Sequence, residues 1–80
     1  MAGSALLAQG IDRRRAILKF VRGYFKKNGF APSIAEIAEG VDLASKTAVR
    51  HHLDVLKNEK WVTWTDGKYR SLQVINDGRY

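Results

Sequence analysis

Eighty residues with 45% hydrophobic content and no cysteine suffice for one small domain on one packed core, and they exclude both a second domain and a disulfide scaffold. Fourteen Lys and Arg against eight Asp and Glu leave a formal charge of +6 and a pI of about 10.0, a field suited to polyanionic partners. No apolar run approaches the roughly 20 residues that span a bilayer, and Ala5 to Ala8 has no basic stretch before it. No membrane partner is therefore expected, and the domain is assigned to the cytoplasm.

Residues 1–10 carry small side chains, two glycines and no clear period, and read as a flexible N-terminal tail. The first helix is expected from Arg13 to Asn28, with Asp12 as its N-cap and Gly29 as its stop. Ile17, Phe20, Val21, Tyr24 and Phe25 fall at i, i+3, i+4, i+7 and i+8, so they supply much of the core. The opposite side is cationic: Arg15, Lys19, Arg22 and Lys26 form a stripe, and with Arg13, Arg14 and Lys27 this helix holds seven of the 14 basic residues. Arg13 to Arg15 sit at the positive end of the helix dipole, which costs a few tenths of a kcal/mol per charge unless an anion compensates. Either phosphate contact or plain solvation accounts for such a face.

Phe30-Ala31-Pro32 is extended, because Pro32 disfavours helical geometry in the residue before it, and this piece could add a third strand to a later hairpin. Ser33-Ile34-Ala35-Glu36 has the pattern of a capping box and opens a second helix reaching about Glu39, burying Ile34, Ile37 and Ala38. Gly40 to Ala44 is a turn, and Ser45 caps a third helix ending near Asn58. At about 100° per residue, Leu53, Leu56 and His52 cluster with Val49, while Thr47, Arg50, His51, Asp54 and Asn58 lie opposite. The exposed side chains nearest the start of this helix are therefore Lys46, Thr47, Arg50 and His51, a set with the chemistry of base edges and phosphates.

After Asn58 the period changes from 3.6 to 2. Val62 and Trp64 alternate with Thr63 and Thr65, and beyond Asp66-Gly67, Leu72 and Val74 alternate with Ser71 and Gln73, which is a hairpin. A two-residue turn would mix polar and apolar side chains on one face. A three-residue loop of Asp66, Gly67 and Lys68 pairs Trp64 with Arg70 and Val62 with Leu72, and is preferred. Its tip presents Lys68, flanked by Tyr69 and Arg70. Residues 77–80 read as a frayed end, leaving 11–76 as the domain.

The order helix, short strand, helix, helix, strand, strand is an α+β winged helix-turn-helix: three helices plus a small antiparallel sheet with a β-hairpin wing. From Arg13 to Ile75 the chain also resembles the DNA-binding domain of the LexA repressor family, through NGFAPSIAEIAEGVDLASKTAVRHHLDVLKNEKWV. There a Gly, an apolar residue and a Pro precede Ser33, followed by an A-E-I-A core and S-x-x-A ahead of H-L-x-x-L. By position, the resemblance implies that Ser45, Thr47, Ala48, Arg50 and His51 read bases. Arg50 and His51 stand where the family carries acidic residues, so the preferred sequence need not be the family's usual operator, and Asp42 replaces a Gly of the turn. The resemblance also implies a self-cleaving domain further along; ending at Tyr80, the chain is expected to lack autoproteolysis and a dedicated dimer interface.

The expected function is a sequence-specific, double-stranded DNA-binding transcriptional regulator, a repressor of bacterial or phage origin, with no cofactor and no small-molecule ligand. Arg50 is assigned a bidentate guanine contact, Thr47 and His51 neighbouring edges or phosphates, and Ala48 a thymine methyl. Lys46, Lys68, Tyr69 and Arg70 are assigned to the DNA backbone, and the Ser33 helix start is expected to lend an N–H to a phosphate. A second copy on a palindromic site is the expected partner in tight binding. Alternatives are a winged-helix module that docks protein through its wing or an exposed Trp61, and a binder of structured RNA. An enzyme is not expected: both serines are explained as caps, His52 faces inward, and two His, no Cys and scattered carboxylates suggest neither a nucleophile nor a metal site.

Overall fold

The computed structural model describes residues 2–43, 45–76, 78 and 80, with side chains from Gly10 onward. Three helices, α1 (Ala2–Asn28), α2 (Ile34–Gly40) and α3 (Lys46–Asn58), precede a two-stranded antiparallel sheet of β1 (Val62–Thr63) and β2 (Gln73–Val74). The third strand anticipated at Phe30 to Pro32 is absent among the described residues: that segment carries no ladder, and the Ala31 carbonyl instead accepts from Arg70 Nη1 at 2.8 Å.

Helix α1 begins well before the expected Asp12 cap, so the backbone of residues 2–10 is helical rather than an irregular tail. Once the segment after Arg13 is helical, each residue added upstream gains a hydrogen bond with no new nucleation. Ala2, Ala5, Leu6, Leu7 and Ala8 are good helix formers. At the other end the stop is as expected: Gly29 takes φ +80° and donates to the Phe25 carbonyl at 2.7 Å.

Ile17, Leu18 and Val21 of α1 meet Ile37 and Ala38 of α2, Val49, Leu53 and Leu56 of α3, and Val62 and Leu72 of the wing base in one core. Leu18 was missing from the expected set, whereas Phe25 is 51% exposed. The helical wheel gives direction around the axis but not which neighbour stands at a given height. Phe25 lies in the last turn, beyond what α3 covers, beside Phe30 in a shallow groove. At the end of α2 no side chain is tolerated without movement, since a Cβ on Gly40 would sit 2.1 Å from Phe20 Cε2.

The turn from α2 to α3 closes through Val41 N–H to the Ile37 carbonyl (2.9 Å) and Leu43 N–H to the Ala38 carbonyl (2.8 Å). Asp42 adopts φ +57°, the left-handed geometry that an Asp accepts at some cost and that a Gly there would take freely.

The wing differs from the expected hairpin. Val62 pairs with Val74 and Thr63 with Gln73, two residues beyond the predicted register. An even shift keeps every side chain on its face, so Val62 and Leu72 are still buried. Continued outward, this register sets Thr65 opposite Ser71, whose Oγ accepts from the Thr65 N–H (2.9 Å) and donates to its carbonyl (3.1 Å). The loop is longer than three residues because Arg70 turns inward with φ +58°, and only the tip is a tight turn, with Lys68 N–H bonded to the Thr65 carbonyl and Gly67 at φ +76°.

The expected frayed end is also corrected at Tyr80, while Asp77 and Arg79 lie outside the described residues. The Tyr80 ring packs edge-on to Trp61 with centroids 5.2 Å apart, and its hydroxyl accepts from Arg14 Nε and donates to Glu59 Oε1 at 2.9 Å. Trp61 is thereby half-buried instead of exposed.

Candidate nucleic-acid interface

The outward face of α3 is bare because its inward face is so thoroughly used. Val49 and Leu56 are 0% exposed and Leu53 is buried, which fixes the roll of the helix and leaves Thr47, Arg50, His51, Asp54 and Asn58 in solvent. Ser45 is the N-cap: its Oγ accepts from the N–H groups of Thr47 (3.1 Å) and Ala48 (3.4 Å). Replacing Ser45 with Ala should lower stability by about 1 kcal/mol, measured by urea unfolding, and hydrogen exchange should quicken in the first turn of α3. Unchanged exchange there would mean that the cap is redundant.

His52 lies at the inner edge of α3, its Nδ1 3.5 Å from Arg14 Nη1. Burial, and then the positive charge of Arg14, push its pKa below the usual histidine value, so the ring is neutral and Nδ1 is the acceptor. His51, ring centroid 5.8 Å away, stays on the exposed side.

Arg50 is held in a frame that periodicity did not reveal. Its Nε lies 3.7 Å from Asp54 Oδ1, and its Cζ lies 5.7 Å from the centre of the Trp64 ring, which also receives Lys57 Nζ at 4.2 Å. Trp64 Nε1 donates to Asp66 Oδ1 at 3.1 Å, tying that ring to the wing tip. The wing thus folds back along α3, with the indole as the joint. Lys57 was legible as i+7 from Arg50, on the same face; the contact with Trp64 was not.

Two expected phosphate ligands are occupied internally. Arg70 Nη1 donates to Glu36 Oε1 at 2.8 Å as well as to Ala31, and its guanidinium lies 4.8 Å from the centres of both the Phe30 and the Tyr69 rings. It is a bolt between the wing and the start of α2, not a free cation. The Ser33 N–H donates to Glu36 Oε1 at 2.8 Å and Ser33 Oγ accepts from the Glu36 N–H at 3.1 Å, so the capping box consumes the group expected to meet phosphate. Glu36 Oε2 in addition accepts from the Tyr24 hydroxyl at 2.8 Å. With Arg70, the Ser33 amide and Tyr24 all donating to it, the Glu36 carboxylate is held down at a pKa of about 2. That hub was missed because its members stand 12 and 34 positions from Glu36.

Lys46, Lys68 and Tyr69 are exposed as expected, Tyr69 by 73%. Between α3, the start of α2 and the wing runs an open cleft of about 470 Å³, with Arg50 and Leu53 on one wall, Lys68 and Tyr69 on the other. Among the described residues no three His, Cys, Asp or Glu are grouped to hold a metal ion, and no helix is long and apolar enough to cross a membrane.

A basic domain with a capped, outward-facing third helix beside a two-stranded wing has the anatomy of a winged-helix module. The sequence profile of the LexA DNA binding domain matches residues 10–71. The chain belongs to this LexA DNA-binding domain family. It is 37% identical over 65 residues to the LexA repressor of Bifidobacterium adolescentis, covering 81% of this chain and 25% of that protein. Against the LexA repressor of Carboxydothermus hydrogenoformans it is 33% identical over 63 residues, covering 79% and 31%. Against that of an Exiguobacterium strain it is 34% identical over 65 residues, covering 81% and 32%. This LexA-type domain therefore spans a quarter to a third of the length of the relatives it matches, and the profile match runs from within α1 through α2, α3 and β1 to the residue before Leu72.

Proposed function

We propose that this chain is the DNA-binding part of a bacterial transcriptional repressor, which seats the N-terminal half of α3 in the major groove of double-stranded DNA and steadies it with the wing. The observation that carries this reading is the pairing of a bare, Ser45-capped helix face with a cationic wing tip held beside it through Trp64 and Asp66. Arg50 reads a guanine, Thr47 and His51 reach neighbouring edges, and Ala48, half-buried at the flank, meets a thymine methyl. Lys46, Lys68 and the Tyr69 hydroxyl take phosphates, whereas Arg70 and Ser33 hold the scaffold. Two copies on a palindrome would repress by occluding the polymerase on the nucleoid, and no catalytic step is assigned to any residue.

Selection of bound sequences from a random duplex pool tests this directly. A consensus with two half-sites about one helical turn apart, or a multiple of that, is the expected result; enrichment of no sequence would overturn it. Lys68→Ala should weaken all duplexes alike and reduce the slope of log K against log salt by about one unit. An unchanged slope in a salt titration would remove the wing tip from the interface.

A further inference from the structure

Residues Arg13 to Asn28 include seven basic side chains and no acidic one. Arg15, Lys19, Arg22 and Lys26, all exposed, follow one another at spacings of four, three and four. Each thus meets a like charge one turn away, which costs the helix about 0.2–0.5 kcal/mol per pair. Among the described residues the row makes one ion pair, Arg15 Nη1 with Asp12 Oδ1 at 3.6 Å. Arg15 also donates to the main-chain oxygen of Tyr80 (3.1 Å) and Arg22 to the main-chain carbonyl of Asn76 (2.6 Å), which fixes the direction of both heads.

The row lies on the far side of α1 from Ile17 and Val21, and the outward face of α3 lies on the far side of α3 from Val49 and Leu56, with the shared core between. Two packed helices are together about 20 Å across and the Debye length at physiological salt is about 8 Å, so the α1 row adds little to the hold on a duplex seated at α3, and that duplex does not neutralise it. A cationic helix face carrying its own repulsion is left over.

We infer that the α1 row is a second, sequence-indifferent DNA-binding face, through which a molecule already seated on its site by α3 also grips the phosphate backbone of another duplex segment. Four cations in a line of about 16 Å match a phosphate backbone. The row itself contains no aromatic side chain, and the exposed Phe25 of α1 lies off its edge, in the groove with Phe30, which favours duplex over stacked single strands. The inference rests on the α3 reading for the first duplex only.

The test uses the full chain and two duplexes: an immobilised one carrying the selected site, and a labelled one of unrelated sequence added after the protein. Wild type should capture the labelled duplex. Lys19→Glu with Lys26→Glu, which replaces like-charge neighbours by opposite ones and so leaves α1 no weaker, should reduce capture by about tenfold or more while keeping affinity for the immobilised site within about twofold. Capture undiminished in this variant, no capture by wild type that is bound to the immobilised duplex, or displacement of the labelled duplex more readily by single-stranded RNA than by unlabelled duplex would each overturn the inference. Failure of the protein to bind the immobilised duplex would overturn the α3 reading, and this one with it.

Discussion

Arg50→Ala is expected to weaken binding to the selected site by about 5- to 150-fold, the equivalent of about 1–3 kcal/mol for one bidentate guanine contact, while binding to random duplex changes little. The geometry favours a reading role over a merely electrostatic one. Asp54 engages Nε, and among the described residues neither Nη group has a hydrogen-bond partner, so the fork that would face O6 and N7 of a guanine is open. Asp54 and the Trp64 ring also restrict the side chain before it binds, reducing the rotamer entropy lost on contact. Arg50→Lys separates charge from shape: a lysine keeps the positive charge but offers no planar fork, so it should restore nonspecific affinity and not the preference. Competition gel shifts with single-base variants of the site measure both. Equal losses on selected and random duplex would remove Arg50 from base reading.

Glu36→Gln is expected to lower the melting temperature by several degrees at neutral pH and to weaken binding to every duplex. Three donors converge on this carboxylate: the Ser33 amide, the Tyr24 hydroxyl and the Arg70 guanidinium. The Ser33 amide and Arg70 already share Oε1, so Gln can keep both bonds, but it removes the charge that strengthens the one to Arg70 and puts an NH2 where Oε2 accepts from the Tyr24 hydroxyl. The ion pair with Arg70 is the one that ties the wing to α2, and its weakening loosens the position of Lys68 and Tyr69 beside α3. The pH dependence follows from the direction of the shift. The folded-state pKa, about 2, lies below the ordinary value of 4.5, so the stabilisation is fully present above about 4.5 and is lost as the pH falls toward 2. Melting curves of wild type and variant should therefore differ at neutral pH and converge through the acid range. Parallel curves at all pH values would mean that Gln costs packing and not the ionised carboxylate.

Local rules carried most of the fold. The Ser33 box, the Ser45 cap, the Gly29 stop and the inward set Val49, Leu53 and Leu56 all follow from neighbours within a turn or two of chain, and each is where the residues alone place it. The alternation at Val62 and Leu72 likewise gave the correct face for the wing although the register was off by two, since a shift of two preserves the face. The clearest error at the site has a distant cause. Arg70 has the chemistry of a phosphate ligand, and only the arrival of Glu36 and the Ala31 carbonyl, more than thirty positions away, turns it inward. Ser33 is a different case: the capping box legible in the sequence already commits its N–H to Glu36, three residues on.

The amino-acid sequence by itself determined that there are three helices, the caps of α2 and α3, the stop of α1 and which face of α3 enters the core, because period and capping act over a few residues of chain. The tertiary structure alone decided how the wing lies: that Trp64 braces Arg50, that Arg70 bolts the wing base to Glu36, and that Tyr80 docks on Trp61. Those contacts join side chains with no fixed spacing in the chain, and only the packing of the helices against the sheet brings them within reach.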